Sequence, residues 1–424
     1  MTWTEFTAVI LCGYGEALYP LVDEGESCKA LLPICTRPML SYPLRWLERA
    51  CIQTILIACH QESLAAITAY VKAWEKASTG TCKITVEAVS SIDETVGTAD
   101  VVHDLADKIQ TDFILLGCDF VSSRPAAAFL DLHRRRDATV TALLYEADGD
   151  IYKDSEHELI GLSPQRDQLL YLRNLDDVED DVVSVRMSLL WKHPRLILST
   201  RVRSAHVFVC KHAILTHLRH MKKLEGEHSR DDMTSFKDDF FPLLIKAQTS
   251  GAVRKQLQLH STVLVAAHVY AKNEQDSFVL RAETLPLYME ANRHYAKLEP
   301  AEARVPASTT LVNGTLGSSV TLDSLIGEHS SAGERTYIKQ GSVVGNHVRI
   351  GRGVRITACV VADYVSIGEN CVLEATVIGR SATIGAKSNL KSCRVGGNVT
   401  VAGGTGARNE VFVQSDLVHA IDPI

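Results

Sequence analysis

Hydrophobic positions along this chain follow two different patterns. Across 1–290 they come in short unbroken runs between mixed stretches: 7–12 (TAVILC), 54–58 (TILIA) and 113–119 (FILLGCD). Runs of this length, followed by turn-forming residues, predict strands buried on both faces, as in a parallel sheet. Residues 42–50 predict a helix between the first two runs. After residue 310 the period becomes six. Aliphatic residues recur at Val320, Ile326, Ile338, Val344, Ile350 and Ile356, with Ala332 filling the gap. The register slips by one to Val361 and Ile367, again to Val372, Ile378, Ile384 and Leu390, and again to Val395 and Val401.

A period of six fits neither a helix nor a hairpin meander. It fits a coil of three short strands and three turns, stacked so that the aliphatic side chains form a continuous inner column. Gly often follows the aliphatic residue, as at Gly327, Gly345, Gly351, Gly368, Gly379, Gly385 and Gly396, and is expected to supply the tight corner conformation there. The polar stretch 291–310, with two prolines, reads as a linker. The expected organisation is an α/β, Rossmann-like domain over 1–290, a linker over 291–310, and a left-handed parallel β-helix of hexapeptide repeats over 311–424.

Composition narrows this picture without redirecting it. A chain of 424 residues exceeds what a single core usually holds, about 250–300 residues. A net charge of -7 argues against a broad basic face for nucleic acid, and Arg134, Arg135 and Arg136 read as a solvated helix end. The 11 cysteines are scattered, with no C-x-x-C pair to suggest zinc or a redox motif. Their odd number and apolar surroundings are expected of reduced, buried thiols in a reducing compartment. No leader or membrane-length apolar run is seen, so a cytosolic protein is expected.

Four elements carry candidate chemistry. Gly13-Tyr14-Gly15 follows the first strand, where a glycine turn lets backbone approach a phosphate; alone it is also an ordinary tight turn. Lys29 opens Lys29-Ala30-Leu31-Leu32-Pro33. Gly97-Thr98 starts a helix and suits a base edge or ribose, or else Thr98 simply caps that helix. Asp119 stands at the carboxyl end of a buried strand, where open α/β sheets bind ligands. His329 and His347 in the repeat region read as turn residues rather than acyl-transfer catalysts, and the acidic run 176–181 reads as an exposed loop.

In this order the elements resemble the sugar-1-phosphate nucleotidyltransferase superfamily, whose signature runs roughly G-G-x-G-x-R-L-x-P-L-T, P-K-x-L-L-P-V, a G-T-A turn and G-D. The chain keeps Gly13, Gly15, Leu18, Pro20, Leu21, Lys29, Leu32, Pro33, Gly97, Thr98, Ala99 and Asp119. Cys12 replaces the first glycine, Cys28 the proline before the lysine, and Ala17 the arginine that would neutralise triphosphate charge. Phosphoryl transfer relies on positioned cations, so these departures imply a pseudo-enzyme with no catalytic residues and no metal site. Gly13, Gly15, Lys29, Gly97, Thr98 and Asp119 are then either a pocket for a nucleotide, GTP or ATP, or a relic kept for folding. No cofactor is required.

Four further segments, 96–100 (VGTAD), 233–244 (MTSFKDDFFPLL), 287–293 (LYMEANR) and 408–413 (RNEVFV), resemble the branch formed by the gamma subunits of eukaryotic translation initiation factor 2B. That resemblance implies a non-catalytic subunit of a guanine-nucleotide exchange complex. It would pair with an epsilon subunit, assemble with alpha, beta and delta subunits, and promote GDP/GTP exchange on initiation factor 2, without direct contact to nucleic acid or membrane. The alternative is a sugar-1-phosphate nucleotidyltransferase such as a GDP-mannose pyrophosphorylase, or its inactive regulatory subunit.

Overall fold

The computed structural model describes residues 5–22, 28–78, 82–89, 97–147, 149–176, 182–228, 233–259, 261–272, 278–300, 305–306, 308–311, 320–321 and 323–414. Val96, Asp177 to Asp181 of the acidic run, and 312–319 of the repeat region lie outside the described residues. The chain divides into two compact units, Met1–Gly13 with Leu40–Arg281, and Tyr14–Met39 with Ala282–Ile424.

The first unit is built on a seven-stranded sheet of β1 (Phe6–Cys12), β2 (Thr54–His60), β3 (Lys83–Val89), β4 (Asp112–Gly117), β5 (Val140–Glu146), β6 (Val202–Cys210) and β7 (Val265–Tyr270), in the order β7-β5-β6-β4-β1-β2-β3. β6 runs antiparallel to both its neighbours, and the other pairings are parallel. The apolar run FTAVILC makes β1 a central strand because it has no polar face to leave in water. Among the helices, α1 spans Ser41–Arg49, α2 Leu64–Ala77, α3 Thr98–Leu105, α4 Ala127–Arg136, α5 Ala213–His228 and α6 Phe241–Ala247. α2 packs on β3, and α4 on β5 and β7. In the last turn of α4, Arg134 is not merely solvated: it forks onto Glu5 through Nε at 2.6 Å and Nη2 at 2.7 Å.

In the second unit, helix α7 (Leu285–Leu298) runs through the start of the stretch expected as a linker. Its Asn292, fully buried, accepts a hydrogen bond from the Cys35 backbone N–H at 2.7 Å and donates to the Tyr288 carbonyl at 2.9 Å. The repeat region forms the left-handed parallel β-helix, with three sheets of parallel strands. Its inner column contains the expected aliphatic series, with one correction. Leu373, not Val372, points inward, so the five-residue step falls between Leu373 and Ile378. The same short step recurs at Ile356 to Val361 and Leu390 to Val395, always at one corner of the coil.

The repeat glycines do a different job from the one expected. Positive φ occurs two residues later, at His347, Asn370, Ser381, Lys387 and Asn398. The glycines instead let successive coils approach. A Cβ on Gly385 would lie 2.3 Å from the Gly403 nitrogen, and one on Gly351 2.8 Å from the Glu369 nitrogen. The left-handed corner tolerates ordinary residues there at a modest energy, whereas overlap with neighbouring backbone leaves nothing flexible to move.

Two substitutions separate these roles. Gly385→Ala should lose about 1–3 kcal/mol in a urea unfolding series. Lys387→Gly, at φ 61, should leave stability unchanged or raise it by up to about 1 kcal/mol. Equal losses from both would contradict the assignment.

Candidate functional site

The six residues singled out by the sequence fall in both units: Gly15 and Lys29 in one, Gly13, Gly97, Thr98 and Asp119 in the other. Gly15 and Lys29 are brought together. Gly15 adopts φ 88, and a Cβ there would stand 2.9 Å from Cδ of Lys29. Lys29 begins a short 3-10 turn, Lys29–Leu31, and is only 8% exposed. The lysine stem thus lies in the space the missing side chain leaves.

Gly13 is exposed immediately after β1. Gly97 and Thr98 form one turn, but Thr98 is not the cap. Gly97 occupies the cap position of α3, and Asp100 Oδ2 accepts from its N–H at 2.9 Å. The Thr98 hydroxyl instead accepts from the Phe236 N–H at 2.8 Å, and the Ala99 N–H donates to the Thr234 carbonyl at 2.8 Å. A Cβ on Gly97 would sit 2.1 Å from that same carbonyl oxygen. Glycine is needed here for close approach of two chain segments.

Asp119 follows β4 and is 2% exposed. Gly117 makes room for it, since a Cβ there would lie 2.3 Å from Asp119 Oδ1. Asp119 Oδ2 accepts a hydrogen bond from Arg281 Nε at 3.1 Å. The partner is delivered by a ribbon in which Val279–Arg281 pairs antiparallel with Phe120–Ser122, setting Arg281 opposite Phe120. Arg281 Nη1 lies 3.0 Å from His206 Nε2. His206 reaches it from an irregularity in β6 between Ser204 and Val207, where its own φ is 51.

The charge chain continues. His206 Nε2 stands 3.7 Å from Glu156, and the buried Lys237 contacts Glu156 and, at 2.7 Å, Glu158 Oε1. Burial, then the Arg281 and Lys237 charges, push the His206 pKa down from 6.5 to about 3, so the ring is neutral and its Nε2 accepts from Arg281. Burial favours a protonated Glu156, but the neighbouring His206, Lys237 and Arg281 outweigh it and hold the carboxyl well below the usual range. Burial likewise opposes charge on Lys237, yet Glu158 and Glu156 outweigh it and raise its pKa. The arrangement alternates carboxylates with cations belonging to the chain itself.

A divalent cation needs free carboxylate oxygens. Asp119 already holds a guanidinium. Glu156, Glu158 and His206 offer atoms within 4.8 Å of one another, but the Lys237 ammonium lies against both carboxylates. In both clusters a cation of the chain already lies against carboxylate oxygens that a magnesium ion would use. Sequence reading missed Arg281, His206, Glu156, Glu158 and Lys237. The usable signal was a polar residue inside an apolar run: Arg281 in Val279-Leu280-Arg281-Ala282, and His206 in Ala205-His206-Val207.

A nucleotidyl transferase family model matches residues 7–150, and a GMPPB C-terminal domain model matches 320–420. A protein of Schizosaccharomyces pombe, translation initiation factor eIF2B subunit gamma, is 32% identical over 362 residues, covering 80% of this chain and 73% of the relative. Proteins of the same description from Caenorhabditis elegans and Dictyostelium discoideum are 27% identical over 301 residues (69% of each chain) and 23% identical over 411 residues (82% of this chain, 89% of the relative).

Arg281→Met should cost about 3–5 kcal/mol, because it strands a buried carboxylate. Adding Asp119→Asn to Arg281→Met should recover part of that loss in urea unfolding; additive losses would count against the pair. Acid provides a second check. His206 is neutral when folded, while the unfolded chain takes a proton near pH 6.5. Stability is therefore fully present above 6.5 and is lost as pH falls toward about 3, by up to about 1.4 kcal/mol per pH unit. His206→Gln should flatten that slope; an unchanged slope would contradict the neutral ring.

Proposed function

The chain belongs to the family of translation initiation factor eIF2B gamma subunits, and from this membership we propose that it is a non-catalytic subunit of the guanine-nucleotide exchange complex, acting in the cytosol. In that reading it pairs with an epsilon subunit, joins alpha, beta and delta subunits, and supports GDP/GTP exchange on initiation factor 2 as scaffold and docking surface.

One observation carries the non-catalytic part: Asp119, at the position where the sheet would engage a ligand, is buried against Arg281. Nucleotidyl transfer needs a cation shared between carboxylate and phosphates, and here the carboxylate is committed to an internal guanidinium. Ala17 adds to this, since it places a methyl where the superfamily signature has a cation. Gly13, Gly15, Lys29, Gly97, Thr98 and Asp119 are, in this account, a fold-maintaining remnant of a nucleotide pocket. Gly97 and Thr98 support this, being engaged with 234–236.

The nucleotidyl transferase match over 7–150 fits the alternative, an active sugar-1-phosphate nucleotidyltransferase, only distantly, and it sets the test. The purified chain with magnesium, a nucleoside triphosphate and a range of sugar 1-phosphates should release no pyrophosphate above an enzyme-free control. Turnover that disappears in Asp119→Asn would overturn the proposal. Co-expression with the epsilon subunit should give a stoichiometric complex on size exclusion.

A further inference from the structure

A buried carboxylate that needed only its charge balanced would take one cation and nothing more. The Asp119 site holds more than that. Arg281 Nε donates to Asp119 Oδ2 at 3.1 Å, and Nη1 of the same planar group lies 3.0 Å from His206 Nε2. His206 is neutral, so Nε2 meets the guanidinium as a lone pair and the ring proton is on Nδ1. A carboxylate oxygen and an imidazole lone pair aimed at one cation are donors of the kind that hold zinc. Glu156 stands 3.7 Å from the same nitrogen and brings a further carboxylate, shared with Lys237.

The backbone is shaped to make these groups converge. His206 enters from the irregularity in β6 with φ 51, a region where a side chain is strained. Gly117 leaves room for Asp119, since a Cβ there would overlap Oδ1. A plain ion pair needs neither device. Strain of this kind persists where several groups must meet at one point.

The position is largely out of water. Asp119 keeps 3% of its side-chain surface, Arg281 18% and His206 19%. Truncating the arginine would leave a hole walled by the Asp119 oxygen and the His206 nitrogen, polar enough to take an ion with its water.

We infer that Arg281 is the resident cation of a carboxylate–imidazole site, held where a zinc-class dication would otherwise sit between Asp119, His206 and Glu156. The class follows from the donors. An imidazole nitrogen suits zinc or cobalt(II), whereas magnesium takes oxygen. The inference rests on the same buried pair as the non-catalytic reading and goes beyond it, naming the ion that the arginine replaces.

The test uses the full chain as wild type and as Arg281→Ala, with cobalt(II) as the probe because its visible absorption responds to the ligands around it. Wild type should bind no cobalt through Asp119. Arg281→Ala should take up a single ion, and about a hundredfold excess over its dissociation constant should raise the melting midpoint by roughly 5 °C. Magnesium should not substitute. Adding Asp119→Asn or His206→Gln to Arg281→Ala should weaken cobalt binding by at least the roughly tenfold that even an outer-shell partner contributes. Three results would each overturn the inference and leave the non-catalytic reading standing. Arg281→Ala binds no more cobalt than wild type, it keeps its cobalt when Asp119 and His206 are also replaced, or it stays unfolded in excess cobalt. Cobalt held by wild type and lost in Asp119→Asn would overturn both.

Discussion

A carboxylate buried at the end of a sheet must have a cation, and here the chain supplies it. Asp119 and Arg281 are 162 residues apart, and three features exist to join them. Gly117 gives the carboxylate room, the two-stranded ribbon carries the guanidinium to it, and the irregularity in β6 brings His206 behind the guanidinium. Breaking such a pair costs more than the pair contributes, because the remaining charge has nowhere to go. The surroundings are therefore committed to this arrangement, down to Lys237 between Glu156 and Glu158. In the reading proposed above, the same commitment competes with any metal for the carboxylate oxygen that faces Arg281.

The second unit rests on a different constraint, the spacing between coils. Backbone hydrogen bonds from Gly345 to Val361, from Gly351 to Ile367 and from Gly385 to Val401, each of 2.8–2.9 Å, tie each coil to the next. That closeness excludes a side chain at the glycine and leaves the left-handed corner, two residues on, to whichever residue tolerates it. At one corner the occupants are His329, His347 and Tyr364, whose rings stack at 5.1 and 4.9 Å. These histidines are turn residues whose rings stabilise one another along the coil axis.

The architecture was readable because it is periodic. Unbroken apolar runs located β1, β2 and β4, and a period of six located the β-helix, apart from the slip at Leu373, where Val372 and Leu373 are both aliphatic and only burial tells them apart. The candidate site was half readable. Asp119 and the Gly97–Thr98 turn were visible as residue types at strand and helix ends. Their partners were not, since Arg281 and Phe236 meet them only through long-range pairing. A cap was one of two readings of Thr98, resting on its neighbours in sequence, and tertiary packing gave its hydroxyl the Phe236 N–H instead.

The account turns on whether the Asp119 carboxylate is available to a metal. Electron paramagnetic resonance titration of manganese into the full chain, with and without GTP or ATP, addresses this directly in wild type and in Asp119→Asn. The account predicts the same number of bound ions and the same affinity in both. A manganese ion held by wild type and lost in Asp119→Asn would contradict it.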